Sequence, residues 1–194
     1  MKKTVVVLIV VLVVLLCGGA TLYSLLKADV EPEVPITGTK TQAAEQAGGG
    51  GAQAEDASKA PDFKIYDEDG VQLTLADLEG KPSILNFWAS WCGPCKSEMP
   101  LFDEMYQEFG SEVNFVMINL TDESETQETA MELIDKEGYG FPVYFDLDRT
   151  VQEAYQAYSI PVTYFLDEDG NIVAYANGTL NEDSFTKGLK MIIK

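Results

Sequence analysis

Hydrophobic and polar positions divide the chain into three stretches. Residues 4–26 carry no charge and run almost unbroken in Val and Leu, with two lysines just before them. At ~1.5 Å per helical residue such a run is long enough to span a bilayer. Residues 27–60 are rich in Glu, Pro, Ala, Gln and Gly, including four consecutive glycines at 48–51. That composition cannot bury a core and predicts a tether. From 61 onward the pattern becomes short and periodic. Residues 63–66 alternate and predict a strand, 67–70 a turn, and 71–74 the returning strand. A helical turn over 75–78 ends at Gly80. The apolar run 83–88 predicts a buried strand, and a helix follows to Phe109, closed by Gly110. Residues 113–120 predict a second continuous apolar strand. Thr121 is expected to cap a helix with Asp122, Glu123 and Glu125 in its first turn, ending at Gly138. A short strand over 142–146 and a short helix capped by Thr150 and running to 155–158 come next. Strands 162–166 and 172–176 flank a turn, and Asn181 caps a last helix. Phe185, Leu189, Ile192 and Ile193 form its inner face, with Leu180 placed to staple onto Phe185. The order ββ, βαβ, α, β, α, ββα predicts an α/β domain, a mixed central sheet with helices on both faces.

The expected organisation is therefore an N-terminal membrane anchor or signal segment over 1–26, a flexible linker over 27–60 and one domain over 61–194. The lysines before the apolar run place the N-terminus in the cytoplasm and the domain outside it. A second reading of the anchor is a lipoprotein signal with Cys17 as the lipidated residue, although Leu16 stands where a small residue is favoured. Both put the domain on the outer face of a membrane. The chain has 32 acidic and 13 basic residues, a net charge of −19, and nearly all of that excess falls in the domain. Such a surface repels nucleic acid and anionic lipid. No histidine occurs. That excludes Ser-His-Asp and Cys-His catalysis and leaves too few ligands for a zinc site, so no metal is expected.

The candidate chemistry is at Cys92-Gly93-Pro94-Cys95, where the first buried strand turns into a helix. A thiolate is the nucleophilic form of cysteine, and the positive end of a helix dipole stabilises it. Cys92 is expected to be the acidic, exposed thiol, with Cys95 one turn on and close enough to attack a disulfide formed at Cys92. Pro94 suits the first helical turn, and Pro100 removes an N–H inside the helix.

The stretch Phe87-Trp88-Ala89-Ser90-Trp91-Cys92-Gly93-Pro94-Cys95 closely resembles the thioredoxin active site. Ile160-Pro161-Val162-Thr163 looks like the cis-proline loop of that family. The resemblance covers about 61–194 and implies a thioredoxin fold. The N-terminal hairpin and the extra helix–strand unit around 122–146 are similar to the membrane-anchored TlpA and ResA group. That group implies an extracytoplasmic thiol-disulfide oxidoreductase that reduces protein disulfides, the direction that the Cys-Gly-Pro-Cys pair of reducing thioredoxins also implies, some members serving cytochrome c maturation. It implies Cys92 as nucleophile and Cys95 as resolving thiol, with no bound cofactor beyond the Cys92–Cys95 disulfide. Trp91, Gly93, Pro94, Ile160 and Pro161 become the expected substrate contacts. The implied partners are a disulfide-containing client protein and a transmembrane thiol donor of the CcdA or DsbD type.

Two departures matter. Thioredoxins carry a buried Asp where this chain has Asn86, which cannot titrate. Glu98, three residues after Cys95 on the same helix face, is a ResA feature and the candidate for the proton-transfer role. ResA proteins often have a glutamate where this chain has Gly93, which puts apocytochrome specificity in question. Open alternatives are an electron donor to an external methionine sulfoxide reductase, a peroxiredoxin-like peroxidase and a non-catalytic binding module. The Pro-x-x-x-Thr-x-x-Cys pattern of a peroxidase is absent, and a binding module has no need of the cysteine pair.

Overall fold

The computed structural model describes residues 59–193. The predicted anchor and nearly all of the linker lie outside these residues. No helix among the described residues is long and apolar enough to cross a membrane.

Among the described residues seven strands form one sheet: β1 (Lys64–Tyr66), β2 (Gln72–Thr74), β3 (Ser83–Trp88), β4 (Asn114–Asn119), β5 (Val143–Phe145), β6 (Val162–Leu166) and β7 (Ile172–Asn177). Their spatial order is β2-β1-β5-β4-β3-β6-β7. β3, β4 and β5 run parallel, whereas β1/β2, β1/β5, β3/β6 and β6/β7 are antiparallel. Among the described residues a 3-10 turn (Leu75–Leu78) and four helices accompany the sheet: α1 (Gly93–Phe109), α2 (Gln127–Glu137), α3 (Thr150–Ala154) and α4 (Glu182–Ile192). Every residue of β3 and β6 is buried, as the continuous apolar runs require of strands covered on both faces.

Alternate residues of β3 supply two cores. Ile84 and Trp88 pack on one face with Phe102 and Met105 of α1, Ile134 of α2 and Phe185 and Leu189 of α4. Leu85 and Phe87 pack on the other with Leu75, Leu78, Val151 of α3, Tyr155 and Tyr164. Asn86 therefore projects to the α1 face, between Ile84 and Trp88. α4 lies so close to the sheet that a Cβ on Gly188 would run into the Phe165 ring. Asn181 caps α4, accepting from the Ser184 N–H at 2.9 Å, and Leu180 joins the same apolar cluster as Phe185.

Three local expectations are corrected. α2 starts at Gln127 with Thr126 as its cap, not at Thr121. The Asp122 carboxylate accepts from the Ser124 N–H and hydroxyl and the Glu125 N–H, a local turn that competes with helix. Thr150 is the first residue of α3 rather than its cap. The helix is preceded by Arg149 at φ 58°, and Asp146 does the capping from outside, accepting from Val151 N–H at 3.2 Å and Gln152 N–H at 2.8 Å. α3 also ends at Ala154, short of 155–158, because Gln156 adopts a positive φ of 51° that L-residues cannot propagate as helix.

Candidate active site

β3 delivers the chain to a tight turn in which Cys92 N–H donates to Ala89 O at 3.1 Å. Cys92 is then the N-cap of α1, and its Sγ accepts from the Cys95 N–H at 3.1 Å. A backbone donor and the positive end of a 17-residue helix thus point at one sulfur. Cys92 and Cys95 form a disulfide with their Cα atoms 5.3 Å apart. The expectation of an exposed Cys92 needs correcting. Cys92 is 4% exposed and Cys95 1%, because the turn and the Ile160 loop close over them. The exposed residues are their neighbours: Trp91, at 61%, together with Gly93 and Pro94.

The Ile160–Pro161 peptide is cis. Pro161 is buried, and the Ile160 carbonyl lies 3.8 Å from Cys92 Sγ. The structure thus sets the Ile160–Pro161 peptide beside the turn that carries Trp91, Cys92, Gly93, Pro94 and Cys95. At Gly93 an added Cβ would meet nothing within 4 Å.

Glu98 lies one turn beyond Cys95 on α1 and is 2% exposed. Its Oε1 accepts from Asn86 Nδ2 at 2.9 Å and its Oε2 from the Leu180 N–H at 2.8 Å. Asn86 Nδ2 also donates to Thr163 Oγ1 at 3.0 Å. Burial pushes the Glu98 carboxyl up to about 7, against the two hydrogen bonds that favour its charged form. Asn86 is therefore the partner of the titrating group rather than the group itself.

One residue expected in the first turn of a helix is instead part of this site's support. Glu125 is fully buried and accepts from the Ser90 N–H, the Ser90 hydroxyl and Asn119 Nδ2, each at 2.6 Å. No periodicity or spacing marks it, since it sits in the loop before α2 and reaches across 35 residues.

A mixed sheet whose first long strand ends at a helix-capping cysteine, disulfide-linked one turn on and faced by a cis proline, defines a thioredoxin-like thiol-disulfide oxidoreductase. A family model described as the AhpC/TSA family matches residues 57–175, and the chain belongs to that family. It is 35% identical to thiol-disulfide oxidoreductase ResA of Bacillus subtilis over 136 residues, which cover 70% of this chain and 74% of that protein. Among solved structures, StoA of Bacillus subtilis superposes with a TM-score of 0.59 at 26% identity, covering 66% of this chain and 96% of StoA. The exposed lipoprotein thioredoxin Etrx1 of Streptococcus pneumoniae gives 0.60 at 28% identity, covering 67% and 98%.

Proposed function

We propose that this oxidoreductase works as a protein-disulfide reductase on the outer face of a bacterial cytoplasmic membrane. Residues 1–26 would anchor it and 27–60 would tether the domain of 61–194. The observation that carries the thiol-disulfide reading is the Cys92–Cys95 pair at the start of α1, and its Cys-Gly-Pro-Cys sequence, the pair of reducing thioredoxins, favours the reductive direction. The buried Glu98 carboxyl, one turn from Cys95, supplies a proton acceptor near neutral pH in either direction. Likeness to ResA and to an exposed lipoprotein thioredoxin supports the placement.

The steps follow from the geometry. The Cys92 thiolate, held by the Cys95 N–H and the α1 dipole, attacks a client disulfide. One client sulfur leaves as a thiolate, and the other joins Cys92 in a mixed disulfide. Glu98 accepts the Cys95 proton. The Cys95 sulfur then attacks the Cys92 sulfur, expels the second client sulfur as a thiolate that takes its proton from water, and forms the Cys92–Cys95 disulfide. Two electrons pass to the client. Trp91, Gly93 and Pro94 form the exposed docking rim, and Ile160 and Pro161 form the wall against the sulfurs. A transmembrane dithiol donor of the CcdA or DsbD type would return the electrons, since the compartment is oxidising. The client is a disulfide-bearing protein, with apocytochrome c the first candidate.

The test is the reduction potential of the pair, by equilibration in defined thiol buffers over a pH series. A value near the roughly −270 mV of cytosolic thioredoxin supports a reductase; one near the roughly −120 mV of a strong oxidant makes the chain a disulfide donor instead. Turnover of hydrogen peroxide in place of insulin disulfides would favour a peroxidase.

A further inference from the structure

The turn that carries the nucleophile is held from behind by a carboxylate to which the redox chemistry assigns no part. Ser90 and Trp91 are the central residues of the turn closed by Cys92 N–H on Ala89 O. Glu125 Oε1 accepts from the Ser90 N–H and from Asn119 Nδ2, and Oε2 accepts from the Ser90 hydroxyl. All three hydrogen bonds are short, at 2.6 Å, and all end on one buried side chain. Asn119 ends β4, the strand beside β3, and its carbonyl accepts from the Asp146 N–H. The turn before the cysteines is thereby tied to the adjacent strand end.

The loop that supplies Glu125 is itself shaped for this purpose. Asp122 Oδ1 takes the Ser124 and Glu125 N–H groups, and the Asp122 N–H donates to Glu125 O at 2.8 Å. This closed turn aims the Glu125 side chain inward, whereas its neighbours Asp122, Glu123 and Ser124 are exposed.

We infer that Glu125 is a positioning residue: its hydrogen bonds to Ser90 keep Cys92 Sγ seated over the α1 N-terminus when the disulfide is open. In the oxidised protein the Cys92–Cys95 bond already fixes both sulfurs. On reduction that tie is gone, and the turn is held by hydrogen bonds alone. The thiolate then keeps its Cys95 N–H partner only while the turn stays in place. The inference deepens the thiol-disulfide reading, and it concerns the thiolate in either direction of electron flow.

Glu125→Gln separates hydrogen bonding from charge. The Gln oxygen can occupy the Oε1 position and accept both Ser90 N–H and Asn119 Nδ2. Its amide group can occupy the Oε2 position and donate to a Ser90 hydroxyl turned to accept. Glu125→Ala leaves all three donors without a partner. The experiment is the pH profile of Cys92 alkylation by iodoacetamide in the reduced full-length chain, read by peptide fragment mass so that Cys95 and Cys17 are counted apart. In Glu125→Ala the profile should move to higher pH by about one unit, a tenfold loss of thiolate below it, while Glu125→Gln stays near the parent. Ser90→Ala, which removes only the Oε2 partner, should shift it less in the same direction and decides the matter if Glu125→Ala does not fold. Unchanged profiles in Glu125→Ala and Ser90→Ala would overturn the inference. So would a profile in Glu125→Gln displaced from the parent as far as in Glu125→Ala, which would assign the effect to charge. Because alkylation needs no client, a chain that fails to reduce insulin yet shows the expected profiles refutes the reductase reading and leaves this one standing.

Discussion

Glu98→Gln should remove a pH dependence from the stability of the fold. In the folded chain the carboxyl is buried and titrates near 7, against an ordinary value of 4.5. Below pH ~4.5 both folded and unfolded forms are protonated and the group contributes nothing unfavourable. As pH rises toward 7, the unfolded chain releases the proton while the folded chain retains it. Stability therefore falls across that window, and above it the folded protein carries a buried carboxylate. The shift corresponds to about 3 kcal/mol, lost between about pH 4.5 and 7. Gln keeps the shape. Its carbonyl can take the Leu180 N–H, and its amide can face an Asn86 side chain that has turned over. Urea unfolding of the oxidised parent and variant, at pH steps from 4.5 to 8, gives the difference in stability at each pH. Asp146, whose carboxyl is also raised by burial, is present in both and cancels. The difference should swing toward the variant by about 3 kcal/mol as pH rises. A difference that is flat with pH would show that Glu98 titrates as an ordinary carboxylate, and the proton-transfer role would fall with it.

Cys95→Ser should abolish insulin turnover while trapping the client on Cys92, visible as a mixed-disulfide band on a non-reducing gel; release of the client without Cys95 would refute the resolving role. Gly188→Ala forces a Cβ into the Phe165 ring and should destabilise by about 1–3 kcal/mol, seen as a lower thermal midpoint. An unchanged midpoint would mean that α4 is free to move off the sheet. Trp91→Ala should raise KM for a protein disulfide about tenfold and leave reduction of a small aromatic disulfide unchanged, since the ring is exposed beside the sulfurs rather than under them.

The parts of this molecule that were legible in the sequence are those where one strong constraint acts at short range. β3 and β6 read as continuous apolar runs because both faces of each strand are covered. Asn181 was recognisable as a cap because its side chain closes on a backbone N–H three residues away. What was not legible depends on contacts that span the chain or on competing local bonds. Thr121 and Thr126 are equally good caps by composition, and the Asp122 turn decides between them. Thr150 lost its capping role to Asp146, whose carboxylate reaches the same N–H groups from the end of β5. Cys92 looked exposed because a helix N-terminus usually is, yet the Ile160 loop covers it from 68 residues away. Glu125 read as a first-turn helix residue, since nothing in its neighbourhood announces Ser90 and Asn119. For Glu98 the position and one partner, Asn86, were legible from helix spacing and strand alternation, whereas the Leu180 N–H comes from the loop before α4.

The empty space above Gly93 has a bearing on how such a protein diversifies. A Cβ added there meets nothing within 4 Å. The position begins α1, where glycine is among the weaker helix formers. A small side chain can thus enter between the two cysteines without repacking what lies beneath them. It would stand next to Cys92, so a charge introduced there alters the thiol and the surface met by a partner together, while the fold is left as it is.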